Sequence, residues 1–449
     1  MAAEINPRLG SSPVSSLGAD AKPNCLFKID GHVARINGVF LLTKEDGVWT
    51  CSDDRSVRLY LKRDNGQFWP SIHHFLPVPP TCLSFNEETN RLLVGLLNGT
   101  VVEFAVAEDN NSMTERRKWQ LHAGPVTAVH LSLAAELVFS CSKDKSVFWH
   151  CSETGVKSGS FVLENSCTCM VVDLPFVFVG DQGGHVSVLR LTGTSPQLVS
   201  KLSAHTGAIT SLAWDAPKQQ LFSGAADNLV IMWDIGGKRG QAYELNSHKT
   251  RVTALAVSPA AHRLFSADDS GRLVVWDMTT DRMETPAWQN SDTCQQCDSP
   301  FFWNVAAMWQ RKVVGIRQHH CRTCGQAVCD GCCKTRTTFP PMGFELPVRI
   351  CSACHDKMEA DPDKFDLTPL AASHEVRTGV VSMHLQQLQG RLATVGTNRI
   401  VHIWDVRSMM EQDRRMISLA ANLMFGPHVI VLDEPIASLC PSNGAIFMH

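Results

Sequence analysis

Short runs of β-branched and aromatic residues recur along the chain and end alike: "SDDRSVRLYL", "SKDKSVFWH", "GAADNLVIMWDI", "ADDSGRLVVWDM" and "GTNRIVHIWDV". Each is bounded by Gly, Asp, Asn or Ser, the pattern of a strand entered from a tight turn. Two weaker copies, "GLLNGTVVEF" and "GDQGGHVSVL", fill the gaps, so the closing apolar position falls at Tyr60, Phe104, Trp149, Leu189, Trp233, Trp276 and Trp404. Successive spacings are 44, 45, 40, 44, 43 and then 128 residues. Taking one ordinary period from the last interval leaves about 85 extra residues, which 284–368 fill. A surface loop tolerates such an insertion because loop-closure entropy grows slowly with length.

A period of about 40 to 45 residues with a turn acid and a closing Trp-Asp resembles the WD-repeat family. Seven copies imply an all-β, seven-bladed β-propeller, with the extra segment inserted between blades six and seven. The resemblance also gives His32, His122, His205 and His248, with turn acids Asp54, Asp144, Asp227 and Asp269, a structural role: hydrogen bonds that tie the turn of a blade to the loop entering it. Asn98 and Asn398 replace the acid in two copies. The segment around Asn24–Ile29 is expected to pair with the last repeat as its outer strand, closing the ring and removing exposed edges.

The resulting organisation is a flexible leader at 1–24, blades one to six at 25–283, an inserted finger at 284–368, blade seven at 369–407, and a tail at 408–449. The tail holds "HVIVLDEPIASL", which resembles the strand and Asp-Glu-Pro of an ATP-binding cassette. No G-x-x-x-x-G-K-[ST] phosphate loop occurs in the chain, so Asp433 and Glu434 have no nucleotide to act on and no enzymatic activity is expected.

Charge narrows the choice of partners. There are 41 Lys and Arg against 44 Asp and Glu, a net charge of -3, so no field favours nucleic acid and any anion site must be local. The N-terminus lacks an apolar signal core, and no run approaches 18 uncharged apolar residues. Seventeen cysteines in such a chain point to thiols and metal ligands in a reducing, cytoplasmic setting.

Eight of those cysteines form four C-x-x-C pairs: Cys294/Cys297, Cys321/Cys324, Cys329/Cys332 and Cys351/Cys354. Eight thiolates make two tetrahedral four-sulfur sites, each closed to water, so two structural Zn²⁺ ions are expected. Cys333 is adjacent to a ligand, but the spacing favours Cys332. The segment "RQHHCR", the four-residue gap "GQAV" and the "RIC" at 349–351 closely resemble the FYVE zinc fingers. That resemblance implies that pairs one and three share one zinc and pairs two and four the other. It also implies binding of phosphatidylinositol 3-phosphate on early endosomal membranes.

The residues support such chemistry. Arg317, His319, His320 and Arg322 lie on one extended segment, with Arg349 arriving from the last pair, and forked guanidinium donors suit phosphate. Just upstream, Val313 and Val314, flanked by Arg311 and Lys312, read as a membrane-inserting loop. Two features depart from the family pattern. Gln318 stands where a second Arg or Lys is usual, and "WQNSD" sets Trp288 and Asp292 one residue further apart, which places the role of Asp292 in doubt. Protonation of His319 and His320 should strengthen lipid binding as pH falls from about 7.5 to 6.

The combination resembles the small WD-repeat and FYVE-domain adaptors of endosomes. It implies a protein peripheral on early endosomes, a propeller scaffold for serine/threonine kinases or receptors, and homodimers that add avidity. Two alternatives are a zinc-dependent protein-interaction scaffold without lipid specificity and a RING-like ubiquitin ligase component. The all-Cys ligand set argues against the latter.

Overall fold

The computed structural model describes residues 22–410 apart from 44–45, 193–194, 237–240, 362–364 and 366. The leader before Lys22 and the tail after Met410, with Asp433 and Glu434, lie outside them. Among the described residues, no helix is long and apolar enough to cross a membrane.

Each repeat folds into four antiparallel strands because its two middle runs are apolar on both faces. In blade one, Gly47–Ser52 is buried along its whole length, whereas the outermost strand, Phe68–Phe75, buries only Ile72 and leaves its other residues half-buried or exposed. Seven such four-stranded sheets are present. Their first strands, from Ile36–Leu41 through Val380–Gln386, touch in a closed ring, and blade seven packs back on blade one. Clusters of buried residues fill the wedges between neighbouring blades, as where Trp49 and Leu59 of blade one meet Phe85 and Leu92 of blade two. The fourth strand of blade seven is Asn24–Ile29, paired antiparallel with Val401–Asp405, so the start of the fold and its last repeat close the ring together.

The repeat and the blade are offset by one strand, which refines the expected boundaries. The third strand of blade six is Arg272–Asp277, and its fourth is Ala371–Glu375, reached only after the insertion. The insertion therefore interrupts blade six between its third and fourth strands and lies ahead of the last blade. Residues 371–375 complete blade six, and blade seven begins at Val380.

Buried histidines lock four blades. Nε2 of His32, His122, His205 and His248 hydrogen-bonds Thr50, Ser140, Ser223 and Ser266 at 2.7–2.9 Å. Nδ1 reaches Asp54, Asp144 and Asp227 in the first three. In the fourth, the partner is Asp268 at 2.9 Å and not Asp269. The expected acid is displaced because this turn is anchored from the end of the strand: Asp268 also accepts from the N–H groups of Ser270 and Arg272. Asp269 points outward to Arg251 at 3.6 Å. Trp233 and Trp276 donate their indole N–H to the same Ser223 and Ser266 at 2.8 Å, which explains why a Trp closes those repeats.

The finger docks on the rim of the propeller. Asn246, just past the outer strand Gln241–Leu245 of blade five, donates its N–H to the Gly343 carbonyl at 2.8 Å. Its carbonyl accepts from Glu345 and Leu346 at 3.0 and 3.3 Å. Gly343 is required here: its φ is +83°, and a Cβ would lie 2.0 Å from the Glu244 carbonyl oxygen.

Burial alone would raise the Asp268 carboxyl, but hydrogen bonds from His248, Ser270 and Arg272 overcome it and hold the group at about 2. Its contribution, about 2 kcal/mol, is therefore present at neutral pH and is lost as pH falls from the unfolded value near 4 through about 2. Denaturant titration should show Asp268→Ala costing about 3 kcal/mol at pH 7, because it strips a buried histidine of its partner, and Asp269→Ala less than about 1 kcal/mol.

Candidate functional site

The finger has little regular structure and a core built largely of sulfur. Two short hairpins, His319–His320 with Ala327–Val328 and Arg336–Phe339 with Phe344–Arg349, pack with the helix Ser352–Ala360 around Phe301, Phe339, Phe344, Ile350 and seven buried or half-buried cysteine ligands. Such a small core needs metal ions to hold it.

The eight paired thiols fall into two groups, Cys294, Cys297, Cys329 and Cys332, and Cys321, Cys324, Cys351 and Cys354, with all sulfurs of a group within 4.8 Å of one another. A tetrahedron with metal–sulfur bonds of about 2.3 Å has sulfurs about 3.8 Å apart. The Cys297–Cys329 and Cys324–Cys351 separations are 3.7 and 3.8 Å. Both groups therefore fit Zn²⁺, with pairs one and three around one ion and pairs two and four around the other. Cys333 is outside both. It is buried and donates to the Cys329 carbonyl, and burial raises its thiol.

The chelating loops fold the basic segment into an open cleft of about 360 Å³. His319, His320, Arg322 and Arg349 line it, together with Gln318 and Arg336. Trp288 forms part of its wall: His320 stacks on the indole at 4.7 Å, and the Arg322 guanidinium lies over the same ring at 4.6 Å. Arg317 is exposed and adjoins the cleft without lining it, although its charge is felt by His319.

Two acids modify this picture. Asp292 is not in the cleft: its carboxylate accepts from the Trp303 indole at 3.0 Å. Asp330 is at the cleft edge, paired with Arg349 at 2.5 Å and 3.8 Å from His319. Arg336 and Asp330 carry no signal in a motif read along the chain, because Arg336 arrives on a separate hairpin and Asp330 follows a zinc ligand. His319 is held below the ordinary histidine value, first by burial and then by Arg349. Any gain in anion binding through its protonation is therefore expected at lower pH than for an ordinary histidine.

Beside the cleft a lobe projects from the finger. Phe302 donates its N–H to the Ile316 carbonyl and Ile316 to the Pro300 carbonyl, closing the lobe at its base. Between them runs the helix Val305–Arg311, capped by the Asn304 side chain and ended by Lys312 in the left-handed region. No residue of this helix is buried, and Trp309 and Val314 are 85% and 89% exposed. Val313 is also exposed, whereas Ile316 turns toward the finger core. From Phe302 to Arg317 the chain holds three cations and no acid. The pattern of "FFWNVAAMWQRK" could have suggested the helix, but its length is marginal and no periodic face marks it.

Fold and site together define a WD-repeat propeller bearing a double-zinc finger of the FYVE type. The profile of the FYVE zinc finger family matches residues 287–360, and that of the WD domain, G-beta repeat matches 196–234 and 240–277. The WD repeat and FYVE domain-containing protein 2 of Caenorhabditis briggsae is 64% identical, covering 91% of this chain and 98% of the relative. The human protein of that name is 47% identical over 90% of this chain and 99% of its own length. The WD repeat and FYVE domain-containing protein 1 of Bos taurus is 45% identical over 95% and 100%. The chain belongs to the WD repeat and FYVE domain-containing protein family. A designed protein, Ika8, matches in fold alone, with a TM-score of 0.52 at 17% identity over 85% of this chain and 99% of its own.

Native mass spectrometry of the full chain should count two zinc ions. Cys332→Ser should lose one, and Cys333→Ser should keep both. Chelation should melt the finger in an early transition separate from that of the propeller.

Proposed function

We propose that this protein is an adaptor that binds phosphatidylinositol 3-phosphate through its finger and protein partners through its propeller. The observation that carries the reading is the adjacency of two surfaces: a cleft lined by His319, His320, Arg322 and Arg349, and a lobe presenting exposed Val313, Val314 and Trp309 on a segment, 302–317, that holds three cations and no acid of its own. A phosphate monoester on a membrane needs both, forked charged donors for the headgroup and apolar side chains that enter the lipid beside it. Lipid burial of Val313 and Val314 contributes roughly 1.5 to 3 kcal/mol each, and nearby Lys312 and Arg317 add about 1 kcal/mol each on an anionic surface.

Zinc is a scaffold in this reading. Bound at both four-cysteine sites it has no open coordination position, so it holds the cleft in shape and takes no part in chemistry. The membrane is the cytoplasmic face of early endosomes. A stretch of 80 residues is 32% identical to part of the vacuolar protein sorting-associated protein 27 of Yarrowia lipolytica, whose name associates that protein with vacuolar sorting. The propeller rim offers serine/threonine kinases or receptors a rigid platform, and homodimers would double the lipid contacts on one membrane.

Co-sedimentation of the full, zinc-loaded chain with vesicles containing the 3-phosphate, the 4-phosphate or neither tests the proposal. Selective pelleting with the 3-phosphate is expected, and equal pelleting on all three would leave a protein scaffold without lipid specificity. Arg322→Ala should weaken binding about tenfold or more, since it removes a charged donor from the cleft. Arg311→Ala should weaken it less than about threefold, because Arg311 is exposed and already paired with Asp298 at 2.8 Å.

A further inference from the structure

The cleft described above is not lined by the finger alone. Asn246, which lies on its wall, belongs to the propeller. Its backbone N–H and carbonyl are both engaged in docking the finger, through Gly343, Glu345 and Leu346. Its side-chain amide makes no hydrogen bond among the described residues, and so is the one polar group Asn246 has left to offer the cleft. An amide carries two donors and an acceptor, suited equally to a ring hydroxyl and to a phosphate oxygen.

Residues two apart in an extended strand share a face. Leu245 is buried in the propeller, and Glu244 and Asn246, on either side of it, are half-buried toward the finger. The placement of Glu244 is independently marked. Burial pushes its carboxyl up, and the largest influence opposing this is the charge of Arg322, the guanidinium stacked on Trp288. The cations of the cleft are thus partly answered already: Arg349 by Asp330 at 2.5 Å, and Arg322 by the field of Glu244. Three lining arginines, Arg322, Arg336 and Arg349, against these two acids leave about one net positive charge, which suits a single phosphate monoester of charge about −1.5 to −2 and not a second one.

We propose that the headgroup site is composite, with the finger supplying the cations and blade five supplying Asn246 as a neutral donor wall and Glu244 as an acid that limits the charge the cleft accepts. This rests on the phosphoinositide reading. In consequence the propeller is a participant in lipid recognition, and its angle to the membrane is set by the same backbone hydrogen bonds that complete the cleft. A finger freed from blade five would keep its zinc sites and lobe but lose both discriminating groups.

The test uses the full chain and its variants Asn246→Ala, Asn246→Asp and Glu244→Gln. Each is titrated against vesicles carrying the 3-phosphate, the 3,5-bisphosphate or unphosphorylated phosphatidylinositol. Asn246→Ala should weaken binding to the 3-phosphate about fivefold, the loss of one hydrogen bond. Asn246→Asp, of the same shape but opposed in charge, should weaken it further. Glu244→Gln should do the opposite, raising binding to the bisphosphate by about fivefold more than binding to the monophosphate, a gain that misfolding cannot produce. If the native chain selects the 3-phosphate and all three variants bind as it does, the composite site is wrong while the lipid reading stands. If the native chain does not distinguish phosphorylated from unphosphorylated vesicles, both fall.

Discussion

The pairing of Arg272–Asp277 with Ala371–Glu375 is the constraint on which the rest of the molecule depends. The chain leaves blade six after Asp277 and must come back to the same strand, Trp276 opposite Ala371, to give that blade its fourth member. Both ends of the insertion are therefore clamped at one place on the rim. A finger tethered by one end could sample many orientations. One held by a sheet ladder, and fixed again by Asn246 against Gly343 and Glu345, has a defined face toward blade five. The completed sixth blade and the orientation of the zinc finger are products of the same ladder.

Polar groups within the molecule divide into those that lock and those left for use. The histidines of blades one, three, five and six are buried against Ser, Thr and Asp on both ring nitrogens, which excludes them from any metal or acid–base role. In the finger, His320 has an aromatic face and one backbone carbonyl, and His319 an exposed acid nearly 4 Å away. Those rings retain hydrogen-bonding capacity. The same contrast separates Arg58, tied to Asp54, Gly31 and Tyr60 inside blade one, from Arg322, which rests on an indole and meets no carboxylate at salt-bridge distance among the described residues.

Much of this was legible along the chain. The period gave the blade count, and the interval of 128 residues located the insertion, because each blade is a local unit with its own turn and closing aromatic. The four C-x-x-C pairs were legible for the same reason. The errors and omissions share a different cause. Asp268 in place of Asp269 is a matter of where one turn is anchored, and the helix Val305–Arg311 is a seven-residue element without an apolar face. Asp330, Arg336 and Asn246 enter the cleft from separate segments, and no spacing rule connects them to His319.

The sequence by itself determined what is local: seven strand-forming repeats, eight zinc-ligating thiols in pairs, and a basic segment beside an apolar one. Residue type and short-range spacing suffice for these, since each is made within a few residues. The tertiary structure decided what is shared. It brought pairs one and three to one metal centre and pairs two and four to the other, closed blade six across the insertion, matched Arg349 with Asp330, and set a propeller residue in the wall of the finger's cleft. Those choices depend on contacts between segments tens to hundreds of residues apart, whose proximity is created by the closed ring and the folded finger.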